Sequence, residues 1–193
     1  MKYFIGNWKM FGIPGSIKIL DRINNYVKKD KARSKNYKVI ISPPYTLLEN
    51  FAKFFKNKKI SISAQNCFHK NNYGSHTGFV SPYMIKKLGV NHVIIGHSEN
   101  REAGENKYDK RKKLTLNVLK NQIRKSLDKK YDFKKILIAY EPIWSIGSGK
   151  LPSENELSNI IINLKNFLKM NYNKKHNFRI LYGGSVDLSL IHI

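Results

Sequence analysis

The chain has 193 residues, room for one domain with a substantial core, and its 41% hydrophobic content is ordinary for a globular protein. No apolar run reaches the roughly 18 residues of a membrane span, and Met1-Lys2-Tyr3-Phe4 leads into a strand rather than a signal peptide. Cys67 is the sole cysteine, which excludes an intrachain disulfide and fits a reducing cytoplasm.

A formal charge of +23 invites a nucleic-acid reading. Basic runs occur at Lys28-Lys29-Asp30-Lys31, Lys110-Arg111-Lys112-Lys113 and Lys134-Lys135. They fall at expected helix ends and connectors, and none alternates with aromatics as a stacking platform for bases would. The expectation is a solvated basic surface with weak, nonspecific anion binding and no sequence-specific nucleic-acid site.

In chain order, short apolar runs alternate with amphipathic segments, the pattern of repeated βα units and a parallel sheet. Tyr3 to Asn7 reads as the first strand. Pro14-Gly15-Ser16 turns into a helix with Ile17, Leu20, Ile23 and Val27 on one face. Val39 to Ser42 is the second strand, stopped by Pro43-Pro44. Thr46 is placed to cap the next helix, with Leu47, Leu48, Phe51, Phe54 and Phe55 as its buried face. Ile60 to Ala64 is the third strand, followed by a polar connector from Gln65 to Phe79. Ser81-Pro82 opens a short helix that Gly89 closes. His92 to Gly96 is the fourth strand. The rhythm then breaks, for the interval up to Ile136 holds one helix, roughly Leu114 to Lys129, and no legible strand. Ile136 to Tyr140 is the fifth strand. Ser153-Glu154-Asn155-Glu156 has the spacing of a capping box, and Arg179 to Gly184 is a sixth strand running into glycines. No linker or composition shift divides the chain, so a single domain over 1–193 is expected.

Polar groups gather at four strand ends. The first strand delivers Asn7 and Lys9 in GNWKM, the fourth His97 and Glu99 in IIGHSENR. The fifth delivers Glu141 in AYEPIWSIGSGK, and the sixth Gly183, Gly184 and Ser185 in YGGSV. A carboxylate at the C-terminal end of a strand, followed by a Gly-punctuated segment, suggests a base under a movable loop. A buried, salt-bridged structural Glu is the other reading of that local pattern.

As a set and in this order, these motifs resemble those of the triosephosphate isomerase family. Ser42-Pro43-Pro44, Ala64-Gln65-Asn66 and Thr77-Gly78 extend the similarity, which runs from Met1 to about Val186. The resemblance implies a (β/α)₈ barrel with its site at the C-terminal face, a cytoplasmic glycolytic enzyme without a cofactor, and a homodimer. It implies that Glu141 moves a proton between the two carbons of a triose phosphate through an enediol(ate). In that family the histidine, here His97, polarises the carbonyl as a neutral imidazole. Lys9 and Asn7 would be further donors, Glu99 a member of the catalytic set, and Gly147, Gly183, Gly184 and Ser185 would receive the phosphate.

Two pieces of that family's pattern have no counterpart. After Arg101 the sequence reads Glu102-Ala103-Gly104-Glu105 and then moves to what resembles the helix following the family's fifth strand, so the preceding helix and the fifth strand itself are missing. Beyond Val186 only Asp187 to Ile193 remain, where the family has its eighth strand. The expected architecture is therefore an incomplete TIM barrel with about six parallel strands, where a typical barrel has about 250 residues. The sequence is compatible with three readings: a triosephosphate isomerase, a catalytically impaired remnant of one, or a basic anion- or nucleic-acid-binding protein on the same scaffold.

Overall fold

The structure is a computed structural model, and it describes residues 1–102, 115–142, 144–145, 148, 150–184 and 186. By Cα proximity the chain forms two compact units, Met1–Arg101 and Glu102–Ile193.

The first unit contains β1 (Lys2–Asn7), α1 (Ile17–Lys29), β2 (Tyr37–Ser42), α2 (Tyr45–Phe55), β3 (Ser61–Ala64), α3 (Pro82–Lys87), β4 (His92–Val93) and α4 (Ser98–Glu102). Its four strands are parallel and lie in sequence order, β1-β2-β3-β4. The longest ladder joins β1 to β2 over six pairs, from Lys2 opposite Tyr37 to Asn7 opposite Ser42. Parallel neighbours need a crossover, and α1, α2 and α3 provide them. The helices cover one face of the sheet, where Leu20, Val27, Leu47, Leu48, Phe51, Phe55, Ile85 and Val90 pack with Ile41, Ile62 and Ala64 of the strands.

Local chemistry sets the helix ends. Ser81 accepts the Met84 N–H at 3.3 Å, and Pro82 occupies the first helical position of α3. At the other end Gly89 takes φ 79°, its N–H bonding Lys86 O at 3.0 Å while Val90 N–H reaches Ile85 O at 3.3 Å. These two bonds form a Schellman motif, and Val90 packs in the same core cluster as Ile85, as that motif favours. Asn24 of α1 is buried, and its Oδ1 accepts the Lys59 N–H at 2.9 Å, tying the helix to the turn before β3.

Three expectations for this unit need correction. Thr46 does not cap α2; Pro44, in extended conformation, stands at the cap position without a side-chain bond, and Thr46 lies inside the helix. Phe54 is 43% exposed rather than buried. It flanks the Leu47-Leu48-Phe51-Phe55 face, meeting Phe55 edge-on at 4.9 Å with the Lys58 ammonium 3.3 Å from its ring centre. The fourth strand is two residues long instead of five: Ile94 N–H still bonds Ala64 O at 3.0 Å, but Ile95 is 73% exposed.

The second unit contains α5 (Thr115–Ser126), β5 (Leu137–Tyr140), α6 (Glu154–Asn171) and β6 (Arg179–Tyr182). β5 and β6 are parallel, in register from Leu137–Arg179 to Tyr140–Tyr182. α6 begins on a full capping box: Glu156 N–H donates to Ser153 Oγ at 3.2 Å, and Ser153 N–H to Glu156 Oε2 at 3.1 Å. Its Leu164, Phe167 and Leu168 pack with Ile123 of α5 and with Phe133 and Phe178 to form this unit's core. Ile136, Ile138 and Ile180 are partly buried against that cluster. Among the described residues the large apolar side chains exposed on strands are Phe4, Ile5 and Val93 of the first unit. Among the described residues no helix is long and apolar enough to cross a membrane.

Candidate active site

In the first unit the site grows from the end of β1. Trp8 N–H continues the ladder to Ser42 O at 3.0 Å. Lys9 then enters the left-handed region at φ 52°, a conformation that costs a residue with a side chain roughly 1–2 kcal/mol. Two bonds hold it there. Its N–H donates to Asn7 Oδ1 at 2.9 Å, and its carbonyl accepts from Gln65 Nε2 at 2.8 Å. The second proton of that Gln65 amide goes to Ser42 O at 2.9 Å, so the residue after β3 clasps the ends of β1 and β2.

Held this way, Lys9 Nζ meets Glu99 Oε1 at 2.6 Å. This hydrogen bond is the main reason the Glu99 carboxyl is held below its usual range; partial burial opposes the shift, and the Lys9 charge adds to it. Both side chains face solvent, at 40% and 52% exposure, so the pair adds little to stability and acts mainly by placement. His97 is more enclosed, its side chain 11% exposed. Its Nδ1 accepts the Glu99 backbone N–H at 3.3 Å, while Glu99 Oε2 lies 3.6 Å from the same nitrogen, beyond hydrogen-bond reach. A ring nitrogen that accepts carries no proton, which assigns the imidazole proton to Nε2.

In the second unit Glu141 follows β5. Gly183 N–H donates to Tyr140 O at 2.9 Å, extending the β5–β6 pairing by one step and laying Gly183 beside Glu141. A Cβ on Gly183 would stand 2.9 Å from both Cγ and Oε1 of Glu141, so a side chain there would displace the Glu141 side chain or β6. Past the carboxylate, Ser145 N–H turns back to Pro142 O at 2.9 Å. The buried Ser145 Oγ donates to Lys150 O at 2.7 Å and lies 3.0 Å from the Tyr182 hydroxyl. The chain is thus held on both sides of Glu141, by Gly183 at Tyr140 before it and by Tyr182 of β6 at Ser145 after it.

Of the residues singled out in the sequence, Asn7, Lys9, His97 and Glu99 gather in the first unit, and Glu141, Gly183 and Gly184 in the second. Gly147 and Ser185 lie outside the described residues. Gln65, Ser145 and Tyr182 carry structural roles that the motifs did not announce. Gln65 directly follows the third strand, and that placement at a strand end is the signal that could have found it.

A sequence profile described as Triosephosphate isomerase matches residues 2–109 and 103–192. The chain belongs to the triosephosphate isomerase family. The triosephosphate isomerase of Thermodesulfovibrio yellowstonii is 33% identical over 213 residues, covering 96% of this chain and 85% of that protein. That of Finegoldia magna is 34% identical, covering 94% and 82%, and that of Wolbachia pipientis wMel 32%, covering 95% and 78%. The crystal structure of triosephosphate isomerase from Bartonella henselae superimposes with a TM-score of 0.78 at 27% identity, covering 96% of this chain and 83% of that one. The fold is therefore α/β of the TIM-barrel type with parallel strands, and the chain is shorter than its family relatives. The first of these alignments, at 213 residues, is longer than the chain's own 193, so that relative carries residues to which nothing here corresponds.

Proposed function

We propose that the chain is a triosephosphate isomerase, interconverting dihydroxyacetone phosphate and D-glyceraldehyde 3-phosphate as part of glycolysis and gluconeogenesis. Glu141 serves as the base, taking the proton from one carbon and returning it to the neighbouring one. An enediolate develops charge on its oxygens and needs preorganised donors there. His97 Nε2–H is one and the Lys9 ammonium another, with Asn7 bracing Lys9 and Glu99 anchoring both Lys9 and His97. Glycines let backbone N–H groups approach a phosphate closely, the role assigned to Gly147, Gly183 and Gly184 with Ser185. The two units are taken as parts of one barrel domain, and a cytoplasmic homodimer without a cofactor is the working state.

The observation that carries this reading is the His97–Glu99 amide bond. It favours the tautomer with the proton on Nε2, which suits a hydrogen-bond donor to a carbonyl oxygen, the role the family's chemistry gives this histidine. A coupled turnover assay on the purified chain tests it. Glu141→Gln keeps the shape and removes the base, and it should lower kcat by about 10²–10⁴-fold. Unchanged turnover in that variant would remove Glu141 from the role.

A second reading rests on the residues that relatives possess and this chain lacks. It holds that the reaction runs far below the roughly 10⁸–10⁹ M⁻¹s⁻¹ ceiling reached by fully evolved enzymes. Displacing reacting groups by about 1 Å already costs on the order of 10² in rate. A kcat/KM within about tenfold of that ceiling would rule the second reading out.

A further inference from the structure

At the opposite ends of the first unit's strands from Lys9 and His97, a cavity of about 580 Å³ opens where α2 and α3 finish and β3 and β4 begin. Two left-handed residues shape it. Asn57 at φ 63° folds the chain back after α2, and Gly89 at φ 79° does so after α3. Its inner wall is apolar, formed by Phe55, Ile62 and Val90. Its volume is that of sites for small organic ligands, about 300–1,000 Å³.

The lining carries more positive than negative groups. Lys53, Lys56, Lys58 and Lys87 contribute ammonium groups, whereas Glu49 is the one lining carboxylate among the described residues and is engaged by Lys53 at 2.6 Å. Asp21 approaches Lys58 at 3.8 Å from outside the lining. Helix C-termini favour cations, and two of them end here, each equivalent to about half a negative charge. Four positive charges against two carboxylates and two such half-charges still leave a positive balance. Lys58 is also fixed in place, its ammonium 3.3 Å from the centre of the Phe54 ring. His92, at the mouth of β4, has its imidazole held below the usual range, by burial first and by the Lys38 charge second. It is therefore a neutral partner able to donate or accept at one wall. A concave, partly apolar site ringed by cations concentrates anions far more than a flat basic surface does.

We propose that this cavity is a binding site for a phosphorylated nucleoside, with its phosphates on the lysine rim and its ring against the Phe55–Ile62–Val90 wall. The site is independent of the isomerase reading. It also gives part of the chain's positive charge a defined ligand.

The test is a titration of the intact, isotope-labelled chain with ADP, followed by calorimetry and amide NMR, with pyrophosphate and adenosine as separate arms. ADP should bind more tightly than either fragment and shift the resonances of Asn91 and His92. Lys56→Gln combined with Lys87→Gln should weaken ADP at least about tenfold. Lys18→Gln combined with Lys70→Gln removes the same charge from exposed positions outside the cavity and should leave affinity unchanged. All four lysines are exposed, and a thermal melt of each variant confirms its fold. Equal weakening by the two pairs would assign binding to diffuse surface charge and overturn the site. So would shifts confined to Lys9 and His97, and pyrophosphate binding as tightly as ADP would eliminate the apolar wall.

Discussion

Lys9 and Gly183 show how single residues set the geometry of the two clusters. The Lys9 hydrogen bond holds Glu99 ionised below the ordinary carboxylate range. The contribution of this pair is complete above the unfolded glutamate value of about 4.3 and is lost as pH falls through the lower folded one. A carbon-detected NMR titration should place the Glu99 midpoint below that of a free glutamate, and Lys9→Met should raise it. An unchanged midpoint in Lys9→Met would show that the 2.6 Å pair does not persist in solution. Gly183→Ala addresses the other cluster. Its new Cβ meets the Glu141 side chain at 2.9 Å, which forces either the carboxylate or β6 to move. The expected result is a loss on the order of 10² in kcat/KM, with secondary structure by circular dichroism intact. Full activity in Gly183→Ala would show that Glu141 need not lie over that glycine.

Among the elements, the legible features were those governed by local chemistry. Ser81-Pro82 and Ser153-x-x-Glu156 announced α3 and α6 because a cap is a bond between neighbours in sequence. Leu20 and Val27, or Leu47 and Phe51, announced buried faces because helix period fixes which side chains share a side. The errors arose where distant partners decide. Phe54 fits the helical stripe by spacing, yet Lys58 covers it in place of the core. β4 ends at Val93 because its pairing with β3 ends with Ala64, a limit that the apolar run through Ile95 does not reveal. Asn24 and Gln65 make bonds across 35 and 56 residues, and no local pattern reports them. The motifs of the candidate site could be read, whereas the bonds that orient them could not. Gly89 offers a quantitative check at this scale. Gly89→Ala places a Cβ in the left-handed region without steric contact, so its cost should be conformational, about 1–2 kcal/mol in urea unfolding. A neutral substitution would mean that the end of α3 contributes nothing to the unit's stability.

For the whole molecule, the charge of +23 dominates behaviour in solution. It should give weak, sequence-blind binding to duplex DNA that falls steeply between about 50 and 200 mM salt. Binding that discriminates among sequences at physiological salt would favour a nucleic-acid function over a solvated basic surface. Ion pairs among the described residues are few and mostly exposed, so added salt should relieve repulsion more than it breaks attractions.

The sheet of the first unit has a consequence for synthesis. Its strands pair in the order in which they are made, and each joins the one completed just before it. Every closure therefore spans a single intervening crossover, and the entropy of bringing the ends together stays small. A chain emerging from the ribosome can add β2 to β1, then β3 to β2, with no wait for later sequence. The core cluster beneath them is drawn entirely from residues up to Val90. This unit is suited to acquiring its buried side chains during translation, so the long apolar stretches of β2 and α2 would be covered soon after they appear.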